Sequence, residues 1–218
     1  MVGQVGEVQE WLGGIGPLKV ALCFFDWYNK NEININDGDY MVYNKNIEEC
    51  VSQLNTFSSL HRQYLNGVLK RIHEYYGDLL LGLSIFGSYA RRENRKNSDL
   101  DLLIILKKVP GFSQRIREFV DNVELELESL AQKLYEEEDI LCELSPYILS
   151  KEESLKFHPI YFDLVEYNKV VYDPEGIISH IIESTKNLMV RNGAKKVEYG
   201  NFWEWETEKG EFLGGTQL

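Results

Sequence analysis

The sequence predicts an α/β fold in the α+β sense, on three observations. Residues 79–86 and 99–106 are short apolar runs bounded by turn residues, as buried strands are. Around them, apolar residues recur three and four positions apart, the spacing that lines one face of a helix. Turn formers such as Gly77-Asp78, Gly87-Ser88 and Pro110-Gly111 separate these stretches.

In chain order, residues 1–43 hold a glycine-rich opening, an aromatic cluster (Phe24, Phe25, Trp27, Tyr28) and an Asn/Asp/Gly stretch at 34–39 that reads as a loop. A small accessory element is expected there. Over 46–76, Ile47, Val51, Leu54, Leu65, Val68, Ile72 and Tyr75 predict one or two helices, ended by Gly77. The run 79–86 is then a strand that stops at Gly87-Ser88, with a turn into a short helix. Residues 99–106 begin with acids and become aliphatic, as does a central strand whose polar end reaches a site. Ile116, Val120, Val123, Leu127, Leu130 and Leu134 predict one long amphipathic helix. Residues 140–149 read as a third strand. Ser150 with Glu153 reads as an N-cap and its capping-box partner, starting a helix that runs toward Tyr167. A short strand at 170–172 meets the turn Asp173-Pro174-Glu175-Gly176, and Ile177, Ile178, Ile181, Ile182 and Leu188 line a last helix. Beyond Met189 a tail is expected, anchored by Phe202, Trp203 and Trp205. The expected division is 1–76 as an N-terminal accessory and helical region, 77–176 as the central domain, and 177–218 as a C-terminal helix and tail.

With 218 residues the chain can bury a sizeable core, and 44% hydrophobic with 27% charged residues is a folded composition. No stretch approaches the roughly 18 apolar residues of a membrane span, and no basic segment followed by an apolar run opens the chain, so a cytoplasmic protein is expected. Cys23, Cys50 and Cys142 are odd in number and far apart, which fits neither a disulfide framework nor a zinc site. The net charge of −12 argues against an extended nucleic-acid groove but not against a nucleotide held locally with a divalent metal. His61, His73, His158 and His180 have no ligand spacing. The acids Glu136, Glu137, Glu138 and Asp139 read as a solvated helix end.

One constellation carries chemistry: a strand, a Gly-Ser turn, a short helix, then a strand opening on Asp-x-Asp. Gly87 lets backbone approach a phosphate, and Ser88 adds a hydroxyl donor. Asp99 and Asp101 lie two apart, so on a strand both carboxylates share a face and can hold Mg²⁺ or Mn²⁺. Glu143, on the third predicted strand, is the candidate third carboxylate as base or metal ligand; Asp163, in an expected packed helix, is its rival. Arg91, Arg92, Arg95 and Lys96 form a basic cluster beside the turn, and Arg91 and Arg92 are expected to hold the triphosphate. A Walker A loop is excluded because Gly87 is not followed by Gly-Lys-Ser/Thr.

The segments Gly87-Ser88-Tyr89-Ala90-Arg91-Arg92-Glu93 and Ser98-Asp99-Leu100-Asp101 resemble the signature of the DNA polymerase beta-like nucleotidyltransferase superfamily. The resemblance implies a small mixed sheet with helices packed on one face. It also implies Mg²⁺-dependent transfer of a nucleoside monophosphate from a nucleoside triphosphate, ATP first among them, to a hydroxyl of a small molecule, RNA end or protein. Small proteins similar to this family also act as antitoxins that bind and modify a helical partner, so a homodimer or a helical protein partner is a further expectation. One residue departs from the pattern: Arg92 stands where many small members have a second glycine.

Overall fold

The structure is a computed structural model that describes residues 37–200 and 202–207. The chain divides into two units, Met1–Tyr40 and Met41–Leu218. The aromatic cluster, Cys23 and nearly all of the expected accessory element lie outside the described residues.

Helix α1 spans Asp37–Ser52, so Asp37 to Asp39 form a first helical turn where a loop was expected. Helix α2, Ser59–Tyr76, starts where Ser58 accepts the His61 N–H, and ends at Gly77, whose φ of 46° other residues adopt poorly. Strand β1 (Leu80–Ile85), the short helix α3 (Gly87–Arg91) and strand β2 (Leu100–Leu106) follow. Strands β3 (Leu144–Ser150) and β4 (Lys169–Tyr172) complete a sheet of order β3-β2-β1-β4. The sheet is mixed: β2 and β3 run parallel, while β1 is antiparallel to β2 and β4.

The central strands are apolar on both sides, and helices accordingly cover both faces rather than one. On the first face, Leu83, Ile85, Leu100, Leu102 and Ile104 pack with Ile47, Leu65, Val68, Leu69 and Ile72 of α1 and α2 and with Phe119, Val123 and Leu134. On the second, Leu81, Leu103, Ile105 and Leu149 meet Phe157, Tyr161, Leu164, Ile177, Ile178 and Ile181. Each fully buried Leu or Ile of these layers stabilises the fold by about 1.5–3 kcal/mol.

The link from β2 to β3 is not the single α-helix that its spacing suggests. Helix α4 (Phe112–Phe119) passes into a π turn at Val120–Glu124 and a 3-10 turn at Leu125–Leu127, and α5 (Glu128–Glu138) resumes after Leu127 leaves helical geometry at φ −109°, ψ 4°. The inward stripe survives because the wide and tight turns compensate each other. Arg115 of α4, nearly buried, ties this layer to β3 through Ile148 O and a two-pronged ion pair with Glu153.

The capping box of Ser150 and Glu153 is present, but it starts only α6 (Lys151–Ser154). Pro159 disfavours helical backbone at His158, so the predicted long helix becomes α6 and a separate α7 (Tyr161–Glu166). The last helix, α8, spans Ile177–Arg191. Beyond it the expected tail is a hairpin, β5 (Lys195–Tyr199) and β6 (Phe202–Glu206), whose Trp205 stacks on Phe162. Asp173 caps α8: its carboxylate accepts Ile178 N–H at 3.0 Å, Ser179 N–H at 2.9 Å and the Ser179 hydroxyl at 2.8 Å. Asp173→Ala should therefore cost about 1–2 kcal/mol in urea unfolding and Asp173→Asn less; an Ala variant as stable as wild type would remove this cap from the account.

Candidate functional site

The end of β1 and the start of β2 build the site. Phe86 N–H donates to Asp101 O at 3.1 Å, bringing the turn after β1 against β2. Gly87 follows at φ +65°, and a Cβ placed there would stand 2.0 Å from Asp101 Oδ2. The space that glycine leaves open is thus filled by the Asp101 carboxylate, where the sequence suggested approach to a phosphate. Ser88 is half-exposed at the start of α3. Arg92 ends α3 in the left-handed region, φ 62° and ψ 29°. The missing glycine therefore affects the helix end, not its start, at a cost of about 1 kcal/mol.

Asp99 lies one residue before β2 and is exposed, while Asp101 sits on the strand and is half-buried. The parallel register sets Asp101 beside Ser145 of β3, whose side chain favours the ionised carboxylate. Burial raises the Asp101 pKa, and the charges of Asp99 and Asp163 raise it further against the opposing pull of Ser145 and Arg91. Asp163, on α7, has a carboxylate 3.6 Å from Arg91 Nη1; burial raises its pKa too, and Arg91 opposes the rise. Asp101, Asp163, Arg91 and Ser145 therefore converge, with Asp99 at the rim.

Glu143 is placed differently. It is exposed, one residue before β3, and the carboxylate that feels its charge is Glu124. Its backbone does reach the site, since Leu100 N–H donates to Glu143 O at 2.8 Å. The basic cluster also separates. Arg91 pairs with Glu93 at 3.0 Å as well as with Asp163, Lys96 turns away to donate to Glu138 O at 2.7 Å, and Arg92 and Arg95 are exposed. Ser145 was not legible in the sequence, because its role depends on the register between β2 and β3. Asp163 was legible only as a rival, and the signal that brings it forward is Pro159, which frees α7 as an independent short helix.

The family described as the nucleotidyltransferase domain matches residues 65–187, more than half of the chain and all of the four-stranded sheet. The chain belongs to this family. The Putative protein adenylyltransferase of Methanocaldococcus jannaschii is 26% identical over 129 residues, which cover 58% of this chain and 82% of that protein. Among solved structures, spectinomycin adenyltransferase AAD(9) from Enterococcus faecialis with ATP and spectinomycin is similar over 60% of this chain and 67% of that one, at 16% identity and a TM-score of 0.40. A toxin-antitoxin structure with AMP-PNP is similar over 58% of this chain and 90% of that one, at 17% identity and a TM-score of 0.33. Among the described residues, no helix is long and apolar enough to cross a membrane.

Proposed function

We propose that this nucleotidyltransferase-domain protein is a metal-dependent enzyme that moves a nucleoside monophosphate from a nucleoside triphosphate to a hydroxyl acceptor. The observation that supports this most is the convergence of Asp101, Asp163 and Arg91 beside the Gly87-Ser88 turn, with Asp99 at its rim. The adenylyltransferase name of the relative makes ATP the first donor to test and a protein hydroxyl the first acceptor.

The donor set fits a hard divalent cation. Mg²⁺ is usually held by one or two carboxylates together with substrate phosphates. Asp99 and Asp101 would supply the protein's share, and no ready group of three ligands is required; among the described residues there is none. A bound Mg²⁺ or Mn²⁺ would polarise the α-phosphate and offset the charge of the leaving pyrophosphate. The chain's own groups do the rest. Ser145 flanks Asp101 across the β2–β3 register. Ser88 donates its hydroxyl to a phosphate oxygen, and Arg91 and Arg92 supply charge-assisted contacts to the triphosphate. The third carboxylate takes the acceptor's proton, and a half-buried carboxyl with a raised pKa, as Asp163 has, suits that task.

Glu143 and Asp163 are the two candidates for this last role, and the Coulombic neighbours of Asp101 favour Asp163. Asp163→Asn should lower the transfer rate by about 10²–10⁴-fold while nucleotide still binds, and Glu143→Gln should stay within a few-fold of wild type. The reverse pattern would move the base to the start of β3.

Thermal shift tests the ligand set independently. Mg²⁺ alone should raise the melting temperature slightly, and Mg²⁺ with ATP distinctly more, because the triphosphate adds oxygen ligands and tightens binding to the folded state. Equal shifts with and without ATP would count against nucleotide and metal sharing one site.

A further inference from the structure

Helix α3 carries Ser88 and Arg91 but has only five residues, too few to hold its own shape in water. Something else must fix it, and its one fully buried polar side chain is Tyr89. The hydrogen bonds around that hydroxyl have a defined direction. Phe57 N–H donates to His61 Nδ1 at 3.3 Å, so in the neutral ring the proton sits on Nε2. Burial lowers the His61 pKa and keeps the ring neutral. Nε2–H then donates to the Tyr89 hydroxyl at 3.0 Å, which leaves the Tyr89 proton to go to Cys142 Sγ at 3.2 Å.

Each partner belongs to a different segment of the fold. His61 is on α2. Cys142 lies just before β3, where Tyr64 donates to its carbonyl at 3.3 Å. Its neighbour Glu143 accepts from Leu100, adjacent to Asp99. Buried Asn94, in the loop that leads to Asp99, lies close to the same hydroxyl and donates to Asn55 O at 3.0 Å. We propose that the Tyr89 hydroxyl is the positioning group of the site, joining α2, α3, the 92–99 loop and the entry to β3 so that Ser88 and Asp99 keep a fixed separation. The inference rests on the nucleotidyl-transfer reading for its consequence, though not for its geometry. None of these residues touches substrate, and each acts through the backbone it holds.

The test compares Tyr89→Phe with Tyr43→Phe, a matched deletion of another buried hydroxyl, which donates to Leu69 O at 3.1 Å in the helical layer. Amide hydrogen exchange at 87–91 and 94–99 should speed up at least tenfold in Tyr89→Phe and stay at wild-type rates in Tyr43→Phe. In the same variant the Mg²⁺ concentration for half-maximal transfer should rise at least fivefold. If Tyr89→Phe does not fold, Cys142→Ala carries the same expectation, and Cys142→Ser, which keeps an acceptor, should restore protection. Equal exchange in the two Tyr→Phe variants, or in Cys142→Ala and wild type where the second pair is used, overturns the proposal. A wild-type protein without transfer activity, but with the expected exchange pattern, would sink the functional reading alone and leave the positioning intact.

Discussion

Asp101→Asn is expected to lower transfer by on the order of 10³-fold or more, while the melting temperature at neutral pH stays the same or rises. The loss follows from removing the charged oxygen at the centre of the site, where Asp99, Asp163, Arg91 and Ser145 all act on one carboxylate. The stability follows from the sign of the pKa shift. Burial, then Asp99 and Asp163, raise the Asp101 pKa, so the folded state holds the proton more tightly than the unfolded chain and the ionised carboxylate costs stability at neutral pH. The neutral amide carries no such cost. The stability gap between variant and wild type should close as pH falls through the raised pKa toward the ordinary carboxylate range. Asp99→Asn should match the activity loss without the gain, because Asp99 is exposed. Retained transfer in either variant would contradict the assignment of the pair.

Gly87→Ala should be damaging on both counts. The backbone there sits at φ +65°, which costs an alanine about 1–2 kcal/mol, and the new methyl would meet Asp101 Oδ2 at 2.0 Å and Cγ at 2.9 Å. Either Asp101 leaves its place or the turn does, so activity should fall as far as in Asp101→Asn and stability should fall as well. The pair Gly87→Ala with Asp101→Gly separates the two costs. Removing the carboxylate should recover the steric share of the stability loss but none of the activity. Additive losses in the double variant would show that residues 87 and 101 do not share this space.

Much of the fold was legible because its signals are local. The inner stripe of α2, the apolar runs of β1 and β2 and the capping box at Ser150 each lie within a few residues, and each is found where the spacing predicts. What was not legible depends on long-range packing. The stripe from Ile116 to Leu134 reads as one helix, since a π turn followed by a 3-10 turn leaves its periodicity nearly intact. The hairpin after α8 reads as a tail, its strands being short and rich in charge. At the site, Gly87, Ser88, Asp99 and Asp101 stand out as a linear pattern. Ser145 and Asp163 reach Asp101 only through the β2–β3 register and the position of α7, which no spacing along the chain encodes.

The most direct measurement of the central claim uses ATP labelled at either the α- or the γ-phosphate, incubated with the protein, Mg²⁺ and a cell extract as the source of acceptor. Nucleotidyl transfer predicts that the α-label appears on an acceptor, that the γ-label leaves as pyrophosphate, and that both outcomes vanish in Asp101→Asn or when the metal is chelated. Label passing to the acceptor from the γ-phosphate, or α-label transfer that survives Asp101→Asn, would contradict it.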